Sequence, residues 1–191
     1  MPLVVDMGSD VLSKRVNWAN LDVAFACCPK NFGISGATIT VIRQNLIDLE
    51  RKYDNFMPTL FRWRTLVDSD NMYNTIPCFN IYVCKKVLEW MEAVGGVEEM
   101  ESRSHQKSQI VYETIDNSKG FYIPGVAKEN PFRSRMNIPI TLKDESLNDQ
   151  FLLEGFKRNI VGLKTKTPFG PGDIRISLYN SIEVEDAQHL S

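Results

Sequence analysis

Short apolar runs separated by polar, turn-rich stretches dominate the first third of the chain. Residues 3–5 and 23–26 are continuous apolar runs, the pattern of strands buried on both faces. Residues 38–42 follow Gly33-Ile34-Ser35-Gly36, are rich in β-branched side chains and predict a third strand. Apolar positions at 46, 47 and 49 predict a short helix over 45–53, and the Asp- and Asn-rich stretch 54–76 reads as irregular. From Pro77 the period turns helical. Phe79, Tyr82, Val83, Val87 and Leu88 recur at 3–4 spacing, and Trp90-Met91 extends the stripe.

Gly95-Gly96 breaks that helix and sets a domain boundary. A second helix is expected over 97–116, with Met100, Ile110, Val111 and Ile115 inward. Strands are expected at 121–123, 136–142 and 174–179, with an amphipathic helix over 147–159 between the last two. The pattern thus predicts an α/β architecture in two parts: residues 1–94, and a small α+β domain over 95–191. An apolar triplet at residue 3 also suggests a strand already in progress, so the sequence reads as starting inside a fold. The first part is then expected to expose an apolar sheet edge or face and to be the less stable one.

Composition narrows the function classes. With 43% apolar and 24% charged residues the chain is ordinary globular material. Lys plus Arg is 22 and Asp plus Glu is 24, a net charge of −2, which supplies no general positive field for nucleic acid. No apolar run approaches the roughly 20 residues of a membrane helix. Cys27, Cys28, Cys78 and Cys84 show no C-x-x-C spacing, and His105 and His189 lie far from them in sequence. The pattern argues for buried reduced thiols in a cytoplasmic protein and for no metal site.

Two residues carry candidate chemistry. Lys30 follows the apolar run 23–26 and precedes a glycine-rich turn, where a partly desolvated amine becomes a nucleophile able to form a covalent bond to a carbonyl. The alternative is an ordinary loop lysine with its head in water. Asp6 ends the first apolar run; if the two strands are neighbours, both residues emerge at one sheet edge, where α/β folds bind ligands. Read alone, Asp6 equally well caps the next turn. Phe169-Gly170-Pro171-Gly172 reads as a plain turn, and Arg62-Trp63-Arg64 as a solvated loop.

In combination these residues resemble a known family. Asp6-Met7-Gly8-Ser9-Asp10-Val11-Leu12-Ser13, Lys30-Asn31, Tyr73-Asn74-Thr75-Ile76-Pro77, Gly120-Phe121-Tyr122, Arg133-Ser134-Arg135-Met136-Asn137 and Ile174-Arg175-Ile176-Ser177-Leu178-Tyr179-Asn180 stand in the order seen in phosphoserine aminotransferases. The resemblance implies a fold-type I, class V transferase dependent on pyridoxal 5'-phosphate, with residues 1–94 as part of its large cofactor-binding domain. It implies amino-group transfer between glutamate and 3-phosphohydroxypyruvate, giving phosphoserine and 2-oxoglutarate in serine biosynthesis. Lys30 is implied as the catalytic lysine that carries the cofactor, and Asp6 as the partner of the pyridinium nitrogen. Asn74 and Thr75 match residues that reach the cofactor phosphate of a neighbouring subunit, which implies a homodimer. Arg175 matches the arginine that clamps the substrate carboxylate.

Departures accompany the match. A family member is roughly twice this length, and the chain stops at Ser191, before the family's last helix is complete. Pro29 stands where the family usually has glutamine, and Thr165-Lys166-Thr167-Pro168-Phe169 replaces a histidine–arginine pair. Lys164 or Lys166 then remain as point charges for a substrate phosphate. The alternative reading is a non-catalytic relic that keeps the fold and an interaction or dimer surface.

Overall fold

A computed structural model describes residues 1–50, 52, 56–164 and 174–191. The chain divides into two compact units, Met1–Val94 and Gly95–Ser191. The division falls at two glycines: Gly95 and Gly96 take φ of 117° and 74°, which side chains with a Cβ adopt only under strain.

The first unit is built on a three-stranded sheet, β1 (Val4–Asp6), β2 (Val23–Cys27) and β3 (Thr38–Ile42). β1 runs parallel to β2 with Asp6 opposite Phe25; β3 returns antiparallel with Thr40 opposite Phe25. Met7, Ala24 and Ala26 form a small buried cluster, flanked by Val5, Val11, Val16 and Leu21. Val4 is 58% and Val41 48% exposed, and Phe25 is also exposed, so apolar sheet surface lies open.

Among the described residues this unit also has three α-helices: α1 (Gln44–Glu50), α2 (Trp63–Asp68) and α3 (Cys78–Ala93). α2, with a 3-10 turn at Thr59–Phe61 before it, corrects the irregular reading of 54–76. Its first amides are held by a carboxylate from outside the segment: Glu50 Oε1 and Oε2 accept from the Trp63 and Arg64 N–H groups, both at 2.9 Å. An anion there suits the positive end of the helix. α3 forms where its periodicity predicts, but the stripe is not a core face. Phe79 is 69% exposed, and Tyr82, Leu88 and Trp90 are exposed too, while Cys84 and Met91 are buried. The expectation of four buried thiols is likewise corrected. All four are free, with Cys28 and Cys84 buried but Cys27, on the open sheet face, and Cys78, at the start of α3, exposed.

The second unit packs α4 (Gly96–Asn117), α5 (Asn148–Lys157) and α6 (Val184–Leu190) with an antiparallel sheet of β4 (Tyr122–Pro124), β5 (Asn137–Leu142) and β6 (Ile174–Ser177). β5 alternates between half-buried and buried positions, as a strand with one core face must. Its Ile138, Ile140 and Leu142 meet Val111 and Ile115 of α4, Ile174 and Ile176 of β6, and Ala187 of α6 in one core. The loop ahead of β5 is fixed by Arg133, which donates to both Asp116 carboxylate oxygens at 2.8 and 2.9 Å over the Tyr112 ring. The predicted helix end at Tyr53, the altered segment 165–169 and the turn 169–172 lie outside the described residues.

Candidate active site

Because β1 and β2 are parallel neighbours, their carboxyl ends share one sheet edge. Asp6 is the last residue of β1, and Lys30 lies three positions past the end of β2. Asp6 is exposed, and its Oδ1 accepts the Gly8 N–H at 2.8 Å. No described residue hydrogen-bonds its second carboxylate oxygen. A Cβ at Gly8 would come within 3.0 Å of Asp6 Oδ1, so glycine allows this close turn.

Lys30 is half-buried and its Nζ donates to Ser9 Oγ at 2.6 Å. The next residue fastens the loops together: Asn31 is buried, and its Nδ2 donates to the carbonyls of Ser9 at 3.2 Å and Val11 at 2.9 Å. The structure thus brings Asp6, Ser9 and Lys30 onto one pair of crossed loops at the carboxyl edge of the sheet. Ser9 and Asn31 do not stand out in the pattern; the available signal is that both flank strand ends on this edge.

Helix α3 backs the lysine loop. Asn80 Nδ2 donates to the Ser35 carbonyl, and a Cβ at Gly33 would lie 3.0 Å from Cys84 Sγ. Burial, reinforced by the neighbouring Cys84 thiol, pushes the Cys28 thiol up to about 11, so it stays protonated and inert at neutral pH.

Asn74 and Thr75 are exposed on the segment leading into α3 and share no hydrogen bond with Asp6 or Lys30. Arg175 belongs to the second unit. It is exposed on β6, its N–H donates to the Leu163 carbonyl at 2.8 Å, and it lines a cavity of about 460 Å³ together with Tyr179, Asp186 and His189.

The edge constellation places an amine and an open carboxylate where open α/β sheets bind ligands. A family model for class-V aminotransferases matches residues 1–190, and the chain belongs to that family. It is 40% identical over 190 residues to the phosphoserine aminotransferase of Halalkalibacterium halodurans, covering 100% of this chain and 51% of the relative. With that of Geobacillus kaustophilus it shares 41% over 189 residues, covering 99% and 51%. Among solved structures, phosphoserine aminotransferase from Bacillus circulans subsp. alkalophilus matches with a TM-score of 0.90 at 35% identity, over 100% of this chain and 51% of that one. Phosphoserine aminotransferase with bound pyridoxal phosphate from Trichomonas vaginalis matches with a TM-score of 0.87 at 33% identity, over 99% and 52%. The fold is that of the class V transferases, and the chain spans about half the length of the curated relatives it matches.

Proposed function

We propose that the chain carries the lysine-bearing half of a phosphoserine aminotransferase site, working on glutamate and 3-phosphohydroxypyruvate in serine biosynthesis. The observation that carries this reading is the placement of Asp6 and Lys30 on adjoining loops, joined through Ser9 and Asn31, at the carboxyl edge of parallel strands β1 and β2. The residues present fit pyridoxal 5'-phosphate at two of its ends. Asp6 keeps one oxygen open to a cationic N–H, as a pyridinium nitrogen presents, and the Lys30 amine lies on the adjoining loop. When bound, the cofactor supplies an electron sink for charge developed at the substrate α-carbon.

The protein's own part follows from its side chains. Asp6, oriented by the Gly8 N–H, would favour a proton on the ring nitrogen through its charge. Lys30 would hold the cofactor through Nζ, and its free amine would carry a proton at that atom to and from the substrate. Arg175 offers a planar guanidinium to a carboxylate, a task suited to two parallel N–H bonds. Asn74 and Thr75, exposed and uncommitted to the Asp6 loop, fit a role toward a second copy's cofactor phosphate, which makes the working form a homodimer. Four free thiols support a cytoplasmic setting, and no helix among the described residues is long and apolar enough to cross a membrane.

The test is titration of the full chain with pyridoxal 5'-phosphate. A visible absorbance band and glutamate-dependent amine transfer to 3-phosphohydroxypyruvate are expected. A band without transfer identifies a cofactor-binding form that lacks the rest of the site; no band contradicts the reading and favours the relic.

A further inference from the structure

The backbone that carries Ser9 is anchored on both sides. The Met7 N–H donates to the Phe25 carbonyl at 2.8 Å, the Gly8 N–H to Asp6, and the Ser9 carbonyl accepts from buried Asn31. Ser13, the other serine of this loop, gives its hydroxyl to the Asp10 carbonyl at 2.7 Å. From this anchored backbone Ser9 Oγ receives the Lys30 Nζ hydrogen bond at 2.6 Å. Lysine has a long flexible stem, and its head goes where a partner holds it.

We infer that Ser9 is a positioning residue for Lys30: its Oγ is the resting place of the Lys30 amine whenever that amine is not joined to the cofactor. The inference rests on the reading of Lys30 given above. A lysine that alternates between attachment and proton transfer must stay within hydrogen-bond reach after release, because small misplacements of a reacting group are costly. A hydroxyl suits both states of that amine. It accepts an N–H from the ammonium and donates its O–H to the neutral amine, and so adds no charge of its own. A carboxylate at the same point would hold the amine in its charged form.

Competitive acetylation of the full, cofactor-free chain with acetic anhydride tests this, read by mass spectrometry as labelling of Lys30 relative to Lys14 and Lys85. Lys14 lies in the Ser9 loop, paired with Asp10 at 2.9 Å, and Lys85 lies on α3, so they report on the loop and on the unit. Ser9→Ala is expected to raise Lys30 labelling about three- to tenfold, the range of one ordinary net hydrogen bond, with Lys14 and Lys85 unchanged. Ser9→Thr keeps the hydroxyl and is expected to restore the parental ratio. Unchanged Lys30 labelling in Ser9→Ala overturns the inference, as does a parallel rise at Lys14, which marks general loosening of the loop. Failure of the parent chain to take up pyridoxal 5'-phosphate would instead count against the function, and the acetylation ratio is independent of it.

Discussion

Asn31 fastens the backbone at Ser9: its side-chain amide, 3% exposed, donates to the carbonyls of Ser9 and Val11. One side chain thereby joins the loop after β2 to the loop after β1. Asn31→Asp keeps the shape but turns a donor into an acceptor facing two carbonyls, so it should destabilise the first unit by about 2–4 kcal/mol. Asn31→Ala should cost less, about 1–3 kcal/mol. Urea denaturation followed by Trp fluorescence checks the order of the two.

Lys107 gives the second unit a pH signature. It is 1% exposed, and its Nζ donates to the carbonyls of Tyr179 at 2.8 Å and Ile182 at 2.6 Å. Burial pushes its pKa down to about 8, helped by Arg103 and opposed by Glu183 and Asp186. Between that value and the ordinary lysine value of about 10.4, the unfolded chain binds a proton that the native chain has released. Unfolding free energy should therefore rise by about 2 kcal/mol from pH 8 to 9.5, and this increment is lost as pH falls through 8. Lys107→Met should flatten the slope while lowering stability throughout, because the Ile182 carbonyl loses the Lys107 donor and the Tyr179 carbonyl keeps only the Ile182 N–H. Chemical denaturation of both chains across this range is the check.

The Arg133–Asp116 pair is nearly buried, 12% and 13% exposed at the side chains, and holds the Asp116 carboxyl below the usual carboxylate range. Lysine cannot reproduce two parallel N–H bonds or the stacking on Tyr112. Arg133→Lys should cost about 1–3 kcal/mol, and Arg133→Ala more, since it strands the Asp116 charge. Thermal melts at neutral pH will rank them.

How far the sequence reveals this molecule depends on whether the cause is local. Continuous apolar runs predict β1 and β2 and β-branched residues predict β3, each to within a residue or so, and Gly95-Gly96 marks the end of α3, because these signals lie in the residues themselves. The start of α2 is hidden because the carboxylate holding its amides belongs to Glu50. Lys107 sits in the hydrophilic run Glu101-Ser102-Arg103-Ser104-His105-Gln106, and its carbonyl partners lie more than 70 residues away. The 3–4 spacing of Phe79, Tyr82 and Leu88 reveals a helix but not what covers its apolar side. At the candidate site, Asp6 and Lys30 are readable as strand-end residues, whereas Ser9 emerges only when the loops cross.

The two units should differ in protection. The second buries Val111, Ile115, Ile138, Ile140, Leu142, Ile174 and Leu178 in one cluster, against Met7, Ala24 and Ala26 in the first. In dilute monomer, amide exchange should be slowest in α4, β5 and β6 and clearly faster in β1–β3. Equal protection without self-association would show that the open sheet of the first unit costs it little.

The most direct measurement is peptide mapping after borohydride reduction of the chain mixed with pyridoxal 5'-phosphate. The site built by Asp6, Ser9 and Lys30 predicts a single dominant pyridoxyl label, on Lys30, lost in Lys30→Ala and weakened in Asp6→Asn. A dominant label on another lysine, or equal labelling of the exposed lysines, would contradict the assignment of the catalytic lysine.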